Sequence, residues 1–458
     1  MLNLPYYVNQ IIYKLEEKGY EAYVVGGSVR DIMLNKQPSD YDITTDALPE
    51  EVERIFFDIK RVNIGKKFGT VILVQEEGTV EVTTFRKEGR YIDGRKPEWV
   101  LFSSHILEDL SRRDFTINSM AYNPKTGLVD PYDGKKDLYK GIIRTVGNPE
   151  DRFSEDYLRI LRAIRFSTQL GFTIEESTYQ AAKDYGHNIS KISVERITDE
   201  FLKIILCEKP SRGIGLLKET GILGIILPEI VSAIGFQQKN PHHDKDVYEH
   251  ILCVLDNTPP VLQVRLAALF HDIGKPHTFT IDEEGIGHFY GHDRLSAEMS
   301  REVLTRFKCS NELIEKVYIL VKEHMNHHTY FKEKGLKRLI RRVGEDEIFN
   351  LMELQKADIK CSNKDADIEH IHERENKIKE IIEEDEAYKL SHLGIDGNDL
   401  IGLGFEKGKI IGEILEYLLE KVMENPKLNH KDALMELALR KYSSQLSQPE
   451  AKVKDPNP

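Results

Sequence analysis

The chain has 458 residues, 40% hydrophobic and 31% charged, with a formal net charge of −13 at pH 7. That length exceeds one typical domain and predicts several, with enough apolar material for packed cores. No apolar run approaches the length of a membrane span and the start lacks a signal-peptide pattern, so a membrane partner is excluded; the acidic balance argues mildly against nucleic acid but leaves room for a local basic patch. The four cysteines, Cys207, Cys253, Cys309 and Cys361, follow neither a CxxC nor a metal-ligand spacing, which predicts a reducing, cytoplasmic setting.

In chain order, Tyr23-Val24-Val25 reads as a strand, Arg30 to Leu34 as a short helix and Asp40 to Ile43 as a second strand. Between the strands stands Gly26-Gly27-Ser28-Val29-Arg30-Asp31. Alternation along a strand puts Asp40 and Asp42 on one face with Tyr41 opposed. Two carboxylates on a rigid face suit a divalent cation, most naturally Mg²⁺ bridging substrate phosphates. The glycines let backbone approach a triphosphate, and a helix start favours anions. Either motif alone is more often a solvated turn; their order within one strand–loop–strand unit carries the reading.

Gly69 to Val74 and Gly78 to Phe85 read as hairpin strands, which completes a small mixed sheet. Glu81, between Val80 and Val82, is a candidate third acid for the metal site or an exposed residue of a half-buried strand. Phe85 to Phe102 is polar and reads as a mobile loop. Arg112-Arg113-Asp114 suits a triphosphate clamp, or a charged helix start with Asp114 as its cap.

From Asp151 to Tyr442 the pattern is helical, so the fold class is α+β: a small mixed sheet followed by mostly helical domains. Asp156, Arg159, Arg162 and Arg165 step by three along one helix side, as a surface ion-pair row or as a base-reading set. An aspartate accepts from an exocyclic amine and an arginine donates to a ring nitrogen or carbonyl, which favours cytosine and adenine over uracil and guanine. Further on, His271-Asp272-Ile273-Gly274-Lys275 ends an apolar helix, with His250 upstream and His292, His324 and Asp358 downstream. Imidazoles and carboxylates in that number predict a metal of unassigned identity able to activate water for phosphate-ester hydrolysis. Lys332 to Arg342 is basic, either a solvated helix face or an RNA contact. Asp365 to Tyr388 reads as a long acidic helix and Ser443 to Pro458 as disordered. No oligomeric state follows from the sequence.

With these motifs placed, the chain resembles the bacterial class II CCA-adding tRNA nucleotidyltransferases, of the polymerase-β-like superfamily shared with poly(A) polymerases, with an appended HD-type phosphohydrolase domain. The resemblance implies a nucleotidyltransferase head over residues 1–145, a helical neck and body over 146–235, the HD domain over 236–365, a helical region over 366–442 and a tail over 443–458. It implies addition of C, C and A to tRNA from CTP and ATP, with Asp40 and Asp42 as catalytic Mg²⁺ ligands. Gly26, Gly27, Arg30 and Arg113 match its phosphate-binding residues, Asp156 and Arg159 its protein template, and Arg162 and Arg165 continue that motif. Asp130 to Gly134, Asp137 and Leu138 match a hinge, and Glu195, Arg196 and Glu200 a neck-stabilising motif. Asp93-Gly94-Arg95 falls in the flexible loop needed for A addition. His250, His271, Asp272 and Asp358 match the HD metal quartet, extended by His292 and His324 if the site is binuclear. The family often has glycine where this chain has Asn35. Rival readings are a poly(A) polymerase and, from another class, an RNA-binding protein with an inactive HD domain.

Overall fold

Apolar residues and tight turns set the sheet. In the computed structural model, described for residues 2–62, 69–89, 91–92, 96–97, 99–239, 245–362, 367–384 and 387–446, helix α1 (Tyr6–Glu16) leads into β1 (Ala22–Val25), α2 (Gly27–Met33), β2 (Tyr41–Thr45), α3 (Pro49–Ile55) and β3 (Lys60–Val62). Next come β4 (Thr70–Val74), β5 (Thr79–Thr84), β6 (Arg86–Glu88), β7 (Tyr91–Ile92), β8 (Lys96–Pro97), β9 (Val100–Phe102), α4 (Ile106–Ser111), β10 (Ala121–Asn123) and β11 (Gly127–Val129). Seven strands form one mixed sheet in the order β11-β10-β1-β2-β5-β4-β3. Val24, Ile43, Val71, Leu73, Val80 and Val82 are fully buried, while Glu81 on β5 is exposed, as strand alternation requires.

Register places the chemistry. Val25 pairs with Asp42 across the antiparallel β1–β2 ladder, and Asp42 pairs with Glu81 across the parallel β2–β5 ladder. The glycine turn that follows Val25 therefore lies beside the acidic strand. Asn35, at the position where glycine was expected, has a φ of +57°, a left-handed conformation that asparagine tolerates.

The segment read as a loop over Phe85 to Phe102 is partly strand. β6 pairs antiparallel with β9, and β7 with β8, so backbone groups that polar side chains gave no reason to pair are paired. Asp93-Gly94-Arg95 lies outside the described residues.

Helices follow: α5 (Gly134–Lys140), α6 (Pro149–Glu155), α7 (Leu158–Leu170), α8 (Glu176–Tyr185), α9 (Val194–Ile205), α10 (Pro210–Glu219) and α11 (Leu223–Ile226). The Asp130 carboxylate accepts from the backbone N–H groups of Gly134 and Lys135 at 2.7 and 2.9 Å, which caps α5. Asn148 caps α6, with Pro149 at its first position.

The chain forms two compact units, Met1–Ser232 with Val303–Lys308, and Ala233–Glu302 with Cys309–Pro458. The second holds α12 (Val247–Asn257), α13 (Leu262–Phe270), α14 (Lys275–Thr278), most of α15 (His292–Arg306), α16 (Asn311–Glu323), α17 (Glu333–Val343), α18 (Glu345–Ser362), α19 (Glu369–Glu383), α20 (Gly397–Gly402), α21 (Lys409–Glu424) and α22 (Lys431–Tyr442). Helix α13 is buried from Val264 to Phe270 and packs against α12, α16 and α18. No helix among the described residues is long and apolar enough to cross a membrane. Residues 447–458 lie outside the described residues; Ser443–Gln445 forms a 3₁₀ turn.

Two local expectations change. The basic residues of α17 face acids of α21: Lys334 pairs with Glu420 and Glu424, Arg338 with Glu420, and Arg341 with Glu416. Arg342 pairs with Glu323 and the buried Lys337 with Glu333, so the patch is neutralised within its own unit. Cys253 and Cys361, 108 residues apart, form a disulfide, a pairing that their spacing does not announce. It joins α12 to α18.

Candidate functional site

In the first unit, a cavity of about 610 Å³ is lined by Gly26, Gly27, Arg30, Asp40, Asp42, Arg113, Asp156, Arg159, Arg162 and Arg165. It thus gathers every residue proposed for catalysis and nucleotide binding except Glu81. Glu81 lines an adjoining cavity of about 210 Å³ together with Asp42 and Arg113. Seven arginines face five aspartates in the larger cavity, so a chain of net negative charge holds a locally basic site.

Gly26 N-caps α2 with φ 71° and ψ −131°, a backbone that side chains resist, and a Cβ there would stand 2.9 Å from Arg113 Nη1. Arg30 is held by Asp31 at 2.8 Å and by Asn118 Oδ1 at 2.8 Å. Asp109, fully buried, anchors both Arg112, at 2.6 Å, and Arg113, at 3.2 Å. Asp114 is no helix cap: its carboxylate accepts from Arg162 Nε at 2.7 Å and from Asn118 Nδ2 at 3.2 Å. Burial opposes its ionisation, yet Arg162 holds its carboxyl down at about 2.

Asp42 behaves oppositely. Burial pushes its carboxyl up to about 6; Arg113 opposes the rise, while Glu81 and Asp40 add to it. Three carboxylates crowd one spot and favour a shared cation. Below pH 6 a proton competes for Asp42, so divalent-cation affinity should fall about ten-fold per pH unit there and level off above it. A Mn²⁺ titration of a His271→Ala variant from pH 5 to 8 measures this; a flat profile contradicts it.

The template residues are not on one helix. Asp156 ends α6 in extended backbone, with φ −150° and ψ 103°, and its carboxylate accepts from Leu158 N at 3.1 Å. Arg196 Nη2 holds it at 2.6 Å. Arg159, buried, donates to Glu155 Oε2 at 2.5 Å and to the carbonyl oxygens of Arg152 and Arg112. Glu200 pairs with Arg165 at 3.1 Å, and the Arg30, Arg162 and Arg165 guanidiniums lie within 5.4 Å of the Phe166 ring centre. The arginine row is thus not a bare surface row: an acid or ring serves each, and Glu200 offsets the repulsion that Arg162 exerts on Arg165. Sequence reasoning missed Asn118, Phe166 and Asp109, although Asp109 stands at helical spacing from both arginines.

The second unit brings all six HD residues together. His250 lies on α12, His271 and Asp272 follow α13, His292 opens α15, His324 ends α16 and Asp358 lies on α18. All are buried. His250 Nε2 is 3.2 Å from His271 Nε2 and 3.1 Å from Asp358 Oδ1, and His271 Nε2 is 3.2 Å from Asp272 Oδ2. His292 Nε2 and His324 Nε2 stand 3.3 and 3.8 Å from Asp272 Oδ1. Two ligand triads result, His250–His271–Asp272 and Asp272–His292–His324, sharing Asp272.

The tautomers fit metal ligation. His271, His292 and His324 direct Nδ1 at the carbonyl oxygens of Ala268, Phe289 and Val321, at 2.8, 2.7 and 2.6 Å. With Nδ1–H donating, Nε2 is left as an acceptor turned inward. The Nε2 atoms of His292 and His324 and both Asp272 oxygens are buried without an aligned hydrogen bond, the condition of a donor set shaped for a cation. Burial keeps His324 well below its ordinary range. Lys275, the last residue of the His-Asp-x-Gly-Lys run, sets Nζ 2.7 Å from Asp272 Oδ2 and 3.0 Å from Gln238 Oε1. Both disulfide cysteines sit one helical turn beyond a ligand, Cys253 after His250 and Cys361 after Asp358.

Residues 22–144 match a family profile described as "Poly A polymerase head domain", 171–234 one described as "Probable RNA and SrmB- binding site of polymerase A", and 279–438 a tRNA nucleotidyltransferase domain 2 profile. A CCA-adding enzyme of Lactobacillus johnsonii is 33% identical over 93% of this chain and 95% of its own length. One from Enterococcus faecalis is 32% identical over 94% and 95%. A crystal structure of the Bacillus stearothermophilus CCA-adding enzyme in complex with CTP has a TM-score of 0.72 at 26% identity, covering 95% of this chain and 97% of that one.

Proposed function

The chain belongs to the family of CCA-adding enzymes, and from that premise we propose how its own residues perform the reaction. It is a tRNA nucleotidyltransferase that adds C, C and A to the 3′ end of tRNA from CTP and ATP by metal-dependent nucleotidyl transfer. The observation that carries the assignment of roles is the single cavity holding Asp40, Asp42, the glycine turn and the arginines.

Asp40 and Asp42 would hold the divalent cation, which we take to be Mg²⁺, with Glu81 beside them as a further acid. A cation held there stabilises charge on the phosphoryl oxygens and lowers the pKa of the attacking hydroxyl. Gly26 and Gly27 bring backbone to the phosphates. Arg30 and Arg113, fixed by Asp31, Asn118 and Asp109, neutralise them. Asp156 and Arg159 read the base edge, and Arg196 and Glu155 hold those two side chains in place. Arg162 and Arg165 anchor the wall of the site through Asp114 and Glu200. The domain limits expected from the sequence, at about residues 145, 235, 365 and 442, remain our proposal, as does a cytoplasmic setting, which tRNA as substrate supports.

Two expectations follow. Asp156→Ala should relax discrimination of C and A against U and G by roughly ten-fold or more, because an unpaired buried group costs about 1–3 kcal/mol. Single-nucleotide incorporation measured with each of the four NTPs tests it, and unchanged ratios remove Asp156 from the template. Gly26→Ala should lower stability by about 1–3 kcal/mol through backbone strain and raise the KM for CTP by displacing Arg113. Unaltered melting and KM contradict that.

For the second unit we propose a metal-dependent phosphohydrolase, acting on 2′,3′-cyclic or 2′-phosphate RNA ends that block addition. The inward Nε2 atoms and the Asp272 carboxylate support it. A metal held by His250, His271, Asp272 and Asp358, with His292 and His324 completing a second position, supplies Lewis-acid activation of water. Lys275 stands ready to neutralise the ester phosphate.

A further inference from the structure

The second unit contains a cavity that neither reaction above uses. It measures about 500 Å³ and is lined by His327, Tyr330, Phe331, His370, Arg374 and Lys377, among others. Arg374 on α19 is 8% exposed. Its guanidinium donates to the carbonyl oxygens of Asn326, at 3.2 Å, and Thr329, at 2.7 Å, and to Gln355 Oε1 at 3.4 Å; it lies 5.0 Å from the Phe331 ring centre. All these partners are neutral, and among the described residues no carboxylate pairs with it. Arg30 and Arg159 of the first unit, buried to the same degree, each have one. A buried cation with only neutral partners is costly and calls for an anion.

The rest of the lining narrows the anion. His327 and His370 add imidazoles, Lys377 pairs with Glu380 at 2.9 Å beside the acidic Glu373, and Tyr330, 91% exposed, offers an aromatic face. Cations beside an exposed ring suit a phosphate carried on a nucleoside: guanidinium for the phosphate, ring for the base.

Hydrogen bonds link Arg374 to the backbone beside the histidine–aspartate centre. Gln355, which accepts from Arg374, donates Nε2 to the carbonyl oxygens of Glu323 and His324 at 3.3 and 3.0 Å. It lies one turn before Asp358 on α18. His327 shares the 3₁₀ turn His324–His328 with His324 and interacts electrostatically with Asp358.

We propose that this cavity binds a nucleoside monophosphate, with Arg374 as the phosphate-binding residue and Tyr330 as the base platform.

The test is equilibrium dialysis of the full chain with labelled 3′-AMP under saturating CTP, which fills the cavity of the first unit. The wild type should retain CTP-insensitive binding, adenosine should bind at least roughly ten-fold more weakly, and Arg374→Gln should weaken 3′-AMP by roughly ten-fold or more, the effect of losing one charged hydrogen bond. Because Arg374 is buried, Tyr330→Ala and Lys377→Glu on the rim are measured in parallel and should each weaken binding several-fold with melting unchanged. Absence of CTP-insensitive binding in the wild type, or unchanged affinity in all three variants, overturns the proposal. Metal analysis of the same samples separates the two readings. Arg374-dependent binding without metal at the centre leaves the cavity and removes the hydrolase, whereas metal without 3′-AMP binding does the reverse.

Discussion

Asp42→Ala should lower nucleotide addition by at least about a thousand-fold while tRNA still binds with wild-type affinity. The size of the effect follows from where Asp42 stands. It pairs in register with Glu81 on one side and Val25 on the other, directly before the glycine turn, and burial has already raised its carboxyl to about 6. A buried carboxyl raised that far gains stability as an anion from a cation beside it. Removing it forfeits the metal and with it several kcal/mol of charge stabilisation in the transition state. The variant should fold normally, because alanine at a strand position relieves a crowded charge rather than opening a core cavity. Single-turnover extension of tRNA lacking its last nucleotides, with binding measured by gel shift, separates chemistry from affinity. A loss confined to tRNA binding would move Asp42 out of the catalytic role.

His271→Ala should empty the second centre. Its Nε2 lies 3.2 Å from both His250 Nε2 and Asp272 Oδ2, so its loss opens the first triad. Bound transition metal, measured on the purified chain, should fall by at least half, and hydrolysis of a 2′,3′-cyclic phosphate should be lost, with CCA addition intact. Because His271 is buried, His292→Ala at the start of α15 serves as a second variant that reduces metal content through the other triad. Full metal occupancy in both variants would leave the cluster a structural feature.

Much of this was legible before any coordinates. Asp40, just before β2, and Asp42 on it line one cavity, the hairpin strands β4 and β5 lie where their residues predict, and the six HD residues converge. What escaped has physical causes. Period-3.6 reading carried a helix straight through Asp156, because an aspartate that leaves one helix and bonds the backbone of the next is invisible to apolar spacing. The basic stretch of α17 looked available for RNA because its partners are some 80 residues away; yet Glu416, Glu420 and Glu424 step by four along α21, a row that could have been matched to it. The disulfide closes a span of 108 residues, and no local signal reports such closure. Arg374 was passed over for the same reason: its meaning lies in which partners it lacks.

The most direct test of the central claim supplies the purified chain with tRNA lacking its terminal CCA and with each nucleotide separately and together. The account predicts two C residues from CTP alone, one further A when ATP is also present, and no incorporation of U or G. Processive A-tailing of generic RNA from ATP alone, or no extension at all, would contradict it.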